Sequence, residues 1–218
     1  MLILALDSAL SGCAAAVVAE DAVAAQRLSD APRGQAEILP PLVEQVLAEA
    51  GVTPGQLDLV AVTVGPGSFT GLRAGLALAH GLALGAGVPV VGVTVAEALA
   101  DSLPHLHGRA LWVAIDSRRS RVFLDRGGGM EAFALDALPA PEGPVAVAGD
   151  AASAVAARLA ARNVDVMLTD ARRPLPRHVA LVAARRAQGA LPPLPAQPLY
   201  VDPPEARLPA TPPRPPPV

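Results

Sequence analysis

The chain has 218 residues, 52% of them apolar but only 2% aromatic, enough for one large or two small domains around an aliphatic, alanine-rich core. Its net charge of −3 is spread without a dominant basic cluster, which argues against autonomous nucleic-acid binding. All 17 basic residues are arginine, excluding lysine Schiff-base chemistry and the lysine-containing phosphate loop, and the single cysteine, Cys13, excludes an internal disulfide or a multi-cysteine metal site.

The N-terminal MLILALD has no basic leader region and reaches Asp7 too early for a secretory signal, so the expected compartment is the cytoplasm. Leu2 to Leu6 reads as a buried strand ending near Asp7 and Ser8, followed by strands over Ala14 to Ala19 and Val23 to Leu28. In QAEILPPLVEQVLAEAG, the apolar residues Leu39, Leu42, Val43, Val46, Leu47 and Ala50 fall at helical spacing. Pro40 and Pro41 either start that helix or kink it. Leu57 to Val64 is a further buried strand.

Gly65 to Pro89 is the most distinctive stretch. A Gly-Pro-Gly turn precedes a helix over Gly71 to Ala86, capped by Ser68 or Thr70 and closed by Gly87 and Pro89. Only Arg73 and His80 are polar in it, so it should be buried all round. Gly75, Gly81 and Gly85 each weaken a helix by roughly 1 kcal/mol relative to alanine, a cost that close approach of another backbone would offset. On a helical wheel Gly71, Ala74, Gly75, Leu78, Gly81, Leu82 and Gly85 gather on one side, with Leu76, Ala77, Ala83 and Leu84 towards the other. One side should pack on the parent sheet and the other on a second helix. A membrane span is the weaker reading, because the segment is built of alanine and glycine and is broken by Pro89.

Val90 to Val93 is another strand, and a second half begins near residue 100. LALDS at Leu4–Ser8 is echoed by VAIDS at Val113–Ser117, each an apolar strand ending in Asp-Ser and followed by a turn and another strand. Val145 to Val147, Ala151 to Arg162 and Pro176 to Gln188 supply one strand and two helices. The pattern is a duplicated meander-plus-helix unit, two α/β lobes with Asp7 and Asp116 near a cleft. Twelve of the 24 prolines lie from Pro192 onward; Gln197 to Asp202 is expected to dock back, and the chain beyond Pro203 to be polyproline II or disordered.

Asp7 and Asp116 could hold a Mg²⁺–nucleotide across such a cleft, or simply bond the amides of their own turns. Capping is favoured over nucleophilic chemistry for Ser68, since Pro66 breaks a G-x-S-x-G elbow. His80 is expected to pack with a hydrogen bond, and His105 and His107 to lie in a solvated turn. Arg172, Arg173, Arg177, Arg185 and Arg186 are expected on a solvated basic face.

Taken together, ILALDSA at Ile3–Ala9, ILPPL at Ile38–Leu42, GPGSFTGLRAGLALAHGLALG, VAIDSRRSRVF and PLYV at Pro198–Val201 resemble the TsaB family over about residues 1 to 202. The resemblance implies an α/β, two-lobed fold of the actin/Hsp70/sugar-kinase (ASKHA) type built from duplicated RNase H-like units. The lobes would be residues 1–100, carrying the partner-binding helices, and 101–202, with a tail at 203–218. It implies a non-catalytic dimerisation subunit in tRNA threonylcarbamoyladenosine synthesis. Such a subunit pairs with a catalytic TsaD-type subunit and a TsaE-type ATPase, meets tRNA only through that complex, and forms a homodimer when alone. No catalytic residue, metal site or tightly bound cofactor is expected, ATP being used by the assembly. The expected interface is Leu39, Leu42, Val46, Gly71, Ala74, Gly75, Leu78, Gly81 and Leu82, and the expected vestigial nucleotide cleft is Asp7, Ser8 and Asp116. The chain has no His-x-x-x-His pair of the catalytic relative, and Gly34-Gln35 and Phe123 depart from the usual residues. A stand-alone nucleotide-dependent phosphotransferase of the same fold is the alternative; a peptidase lacks both metal ligands and a triad.

Overall fold

The computed structural model describes residues 1–118 and 120–201. The expectation for the proline-rich tail from residue 203 therefore lies outside the described residues. The first unit runs β1 (Leu2–Asp7), β2 (Cys13–Ala19), β3 (Ala22–Ser29), α1 (Gln35–Ala50), β4 (Leu59–Gly65), α2 (Phe69–Ala86), β5 (Val90–Thr94) and α3 (Val95–Asp101). The second runs β6 (Ala110–Asp116), β7 (Arg121–Asp125), β8 (Met130–Ala134), β9 (Val145–Ala148), α4 (Ala152–Ala160), β10 (Val166–Leu168) and α5 (Pro176–Ala187).

The two Asp-Ser strands hold equivalent places. The sheets are ordered β3-β2-β1-β4-β5 and β10-β9-β6-β7-β8, so β1 and β6 are each the central strand. Each pairs antiparallel with the strand that follows it and parallel with the first strand after the meander. In register, Asp7 faces Ala14 and Asp116 faces Val122. The duplication legible in LALDS and VAIDS is thus a duplication of sheet topology. Among the described residues, the second unit has no helix matching α1 between β8 and β9.

Burial on both faces explains the near-continuous apolar runs of β1 and β4. Leu4 and Leu6 point to α1 and α2, packing with Leu39, Val43, Val46, Leu76 and Ala79. Ile3 and Ala5, at alternate positions, point the other way, onto Val179, Ala180, Val182 and Ala183 of α5. The last helix of the chain therefore covers the first sheet, and α4 alone among the long helices packs on the second, over Trp112, Val145 and Val147. The lobes meet where Ala9, Leu10, Leu72, Val95 and Leu99 pack with Val113 and Ile115.

α1 runs through Pro40 and Pro41 as one helix. The prolines leave the carbonyls of Ala36 and Glu37 without amide partners, which is tolerable because both residues are exposed to water. α3, β8 and β10 are additions to the elements legible in the sequence. α3 is only seven residues long, set by a capping box in which Thr94 and Glu97 exchange hydrogen bonds.

Beyond α5 the chain returns across the first lobe as a strap. The Leu194 carbonyl accepts from Gly92 N–H at 3.3 Å, Ala196 O bonds His80 Nε2 at 2.8 Å, and Leu199 N–H donates to Val64 O at 2.8 Å. Ala196 is 7% exposed. The expected docking of Gln197 onward is present as far as Val201. These contacts predict that a chain ending at Leu191 melts about 5–10 °C below one ending at Val201, several hydrogen bonds of about 1 kcal/mol each being lost. Equal melting temperatures by calorimetry would show that the strap adds no stability.

Candidate functional site

The turn after β1 carries the candidate residues Asp7 and Ser8, and it is closed. Asp7 is 4% exposed and Ser8 1%. Thr63 on β4 donates its hydroxyl to Asp7 Oδ1 at 2.7 Å, and Ala9 N–H donates to the same oxygen at 3.2 Å. Ser8 Oγ donates to the Gly71 carbonyl at 2.8 Å, and Ser68 N–H donates to Ala9 O at 2.6 Å. Burial pushes the Asp7 carboxyl up to about 6, against the opposing effect of its Thr63 and Ala9 hydrogen bonds. Asp7 Oδ1 and Ser8 Oγ are thus both engaged within the chain.

Asp116 is more open, with a side chain 45% exposed. Its carboxylate accepts from Arg118 N–H at 2.8 Å and lies 3.6 Å from the Arg118 guanidinium. Its own amide donates to Asp150 Oδ1 at 2.8 Å, and burial raises the Asp150 carboxyl above its ordinary range. The turn-bonding reading of Asp116 holds, and the apolar seam at Ala9, Leu10, Val113 and Ile115 lies between the two lobes. Among the described residues no cluster of three or more histidine, cysteine or acidic side chains could hold a metal ion.

The closure is made by the turn before α2 and the N-terminal half of that helix. A Cβ at Gly67 would stand 2.0 Å from Ala9 O, one at Gly71 2.2 Å from Ser8 O, and one at Gly75 2.3 Å from Ser8 Oγ. Those glycines let the helix lie directly on the β1–β2 turn, and Ser68 caps it by accepting from Gly71 N–H at 3.2 Å. The wheel grouping is corrected here. Gly71 and Gly75 face the chain's own turn, and Leu39 and Val46 are 1% and 0% exposed inside the first core, so these four are covered within the chain. Leu42, Leu78 and Leu82 are half-buried on the margin of that core. Ala74 is half-buried and Gly81 exposed.

What remains uncovered is a strip that winds along the outside of α2 from Phe69 to Gly85. Phe69, Arg73, Ala77, Gly81, Leu84 and Gly85 are all exposed, Leu84 at 85%. Among the described residues nothing comes within 4 Å of a Cβ at Gly81 or Gly85. Their helix-weakening cost is therefore not offset by any described residue. The strap borders the strip, with Tyr200 against Phe69 at 6.1 Å between ring centroids. Sequence reasoning missed Phe69 and Tyr200 because they lie far apart in the chain. The expected hydrogen bond of His80 is the one to Ala196 O. Three of the five C-terminal arginines are tied down: Arg173 to Asp30, Arg185 to Asp101, and Arg186 to Glu97 and the Gly92 carbonyl. His105 and His107 are exposed, as expected of a solvated turn.

Two five-stranded mixed sheets of matching order, each centred on a strand that ends at the Asp of an Asp-Ser pair, define a two-lobed α/β protein with an internal repeat. The chain belongs to the family described as TsaD: tRNA N6-adenosine threonylcarbamoyltransferase, which matches residues 29–185. Within it the resemblance is to TsaB proteins. The chain is 35% identical over 124 residues to the tRNA threonylcarbamoyladenosine biosynthesis protein TsaB of Escherichia coli, covering 56% of this chain and 53% of that one. It is 33% identical over 126 residues to the Haemophilus influenzae TsaB, covering 57% and 52%. The chain thus spans about half the length of these curated relatives. A Pseudomonas aeruginosa protein described as similar to peptidase YEAZ has the same fold, with a TM-score of 0.73, 24% identity, and coverage of 92% of this chain and 99% of that one.

Two outcomes test this geometry. Gly71→Ala should destabilise by about 2 kcal/mol or more, because a backbone carbonyl blocks the new methyl, whereas Gly85→Ala should stabilise by up to about 1 kcal/mol. Urea titration separates them, and equal effects would contradict the two-sided assignment. Asp7 supplies a pH signature. Its native carboxyl, at about 6, keeps a proton that the unfolded chain releases near 4, so stability falls as pH rises from about 4 to about 6 and then levels, by about 3 kcal/mol in all. Asp7→Asn should remove most of that slope; an unchanged slope would place its origin elsewhere.

Proposed function

We propose that this chain is a non-catalytic subunit of the machinery that makes threonylcarbamoyladenosine in tRNA, pairing through the outer face of α2 with a TsaD-type catalytic subunit. The single observation that carries the reading is the exposed apolar strip Ala77–Gly81–Leu84–Gly85, whose two glycines meet no described residue of the chain. A stable soluble helix does not ordinarily combine an 85% exposed leucine with unoffset glycines, and close approach of a partner helix accounts for both. α1, with Leu42 on its margin, is the second contact. Family membership supports the role in tRNA modification, and the internal engagement of Asp7 and Ser8 supports a chain that does no phosphoryl transfer of its own. In this reading a TsaE-type ATPase supplies ATP use to the assembly, tRNA is met only in the complex, and the protein works in the cytoplasm. Among the described residues no helix is long and apolar enough to cross a membrane. Without the catalytic subunit, two copies pair through the same strip.

Leu84→Glu tests the proposal, because a charge at so exposed a position should change the folding free energy by no more than about 0.5 kcal/mol. The variant should remain folded, fail to co-sediment with a TsaD-type subunit, and lose reconstituted tRNA modification in parallel. Normal pairing by a folded Leu84→Glu protein would place the interface elsewhere.

A further inference from the structure

Arg73 stands on the exposed crest of α2 with its guanidinium already oriented. It lies 3.7 Å over the Phe69 ring centroid, and its Nε donates to the Tyr200 hydroxyl at 3.3 Å. The chain has only three Phe, one Tyr and one Trp, yet two of these five are gathered and exposed around this one arginine. A guanidinium held this way loses little further freedom on pairing, and Arg with aromatic neighbours is the composition of interface anchors. Among the described residues no carboxylate is within ion-pair reach of Arg73. Glu44, exposed on α1, likewise has no basic partner among them.

The topology puts these two groups at related heights. α1 joins β3 to β4 and α2 joins β4 to β5, and all three strands run in the same direction, so the helices run in the same direction as each other. Leu39 Cδ2 comes within 3.9 Å of the Cβ position of Gly75. Residue 39 of α1 is therefore level with residue 75 of α2, and Glu44, five residues on, is level with His80.

Resting on the reading of α2 as the pairing surface, we propose that Arg73 and Glu44 form the reciprocal charge pair of a two-fold contact between two copies of this chain. A two-fold pairing that buries the whole strip from Phe69 to Gly85 passes its axis through the centre of that strip, near Ala77. The operation brings Arg73 level with Gly81 of the second copy. Glu44 of the second copy is one residue from that level, about 1.5 Å along the helix, on the neighbouring helix. With helices packed about 8–10 Å apart, an arginine on the crest spans the lateral gap. Glu37 falls level with Gly81 of the second copy, and Glu49, the third exposed acid of α1, is paired with Arg27. Symmetry makes two Arg73–Glu44 pairs, one on each side of the axis, and charge complementarity of this kind fixes register.

The test is sedimentation equilibrium on the full chain with Arg73→Glu, Glu44→Arg and the double variant, folding being checked by circular dichroism. Each single substitution should weaken the dimer by about tenfold or more, and the double should return to within about threefold of the parent. Raising salt from about 0.05 to 0.5 M should weaken the parent dimer measurably. A double variant that dissociates as readily as the singles, singles that dimerise like the parent, or a parent monomeric up to about 1 mM would each overturn the proposal. If the singles are silent while Leu84→Glu dissociates, the face stands and the charge pair is wrong. If Leu84→Glu also dimerises normally, the face itself is wrong.

Discussion

Everything in the first lobe depends on one close approach, that of α2 to the turn after β1. Gly67, Gly71 and Gly75 carry no Cβ where the backbone and hydroxyl of Ser8 and Ala9 pass at 2.0 to 2.3 Å from the position one would take. Because the helix lies so low, Ser8 donates to the Gly71 carbonyl, Ser68 N–H reaches Ala9 O, and Leu72 joins the seam between the lobes. A side chain at any of these glycines would lift the helix, open the turn and disturb that seam together. The burial of Asp7 follows from the same contact, and with it the raised carboxyl pKa. The turn that ends β1 is a structural joint of the lobe.

The outer face of α2 follows a different logic. Its glycines at 81 and 85 meet nothing within the described chain, and Leu84 projects into solvent. One helix therefore holds two sets of glycines with separate physical purposes, one satisfied at home and one not. The strap from Leu194 to Tyr200 adds to the second set by placing an aromatic ring beside Phe69 and Arg73. Phe69 and Arg73 of α2 are thereby joined to a residue more than 120 positions away in the chain.

Much of the fold was legible in the sequence. The apolar strands ending in Asp-Ser, the Ser68 cap and the Gly87 stop lie where periodicity and turn chemistry put them, and the echo at Asp116 marks a true topological repeat. α3 and β10 were too short for periodicity to show, and β8 follows a glycine run that masks its start. The site was harder to read. A helical wheel groups Gly71, Gly75, Gly81 and Gly85, but cannot show that the first two meet the β1–β2 turn while the last two clear it. Nor can it tell that α5 returns to cover the first sheet, leaving the α1–α2 side of the lobe to face outward. Tertiary contacts between Ser8 and Gly75, or between Phe69 and Tyr200, have no local signature.

The central claim is that the outer face of α2 becomes covered when a TsaD-type subunit binds. Cys13, the only native cysteine, is buried, so a Leu84→Cys variant offers one reactive thiol on that face, and Leu168→Cys, 46% exposed on β10, offers a control on the other lobe. Thiol-labelling rates measured while the catalytic subunit is titrated in should fall at least about tenfold at position 84 and stay constant at 168. A labelling rate at 84 that does not change while the complex forms by sedimentation would contradict the account.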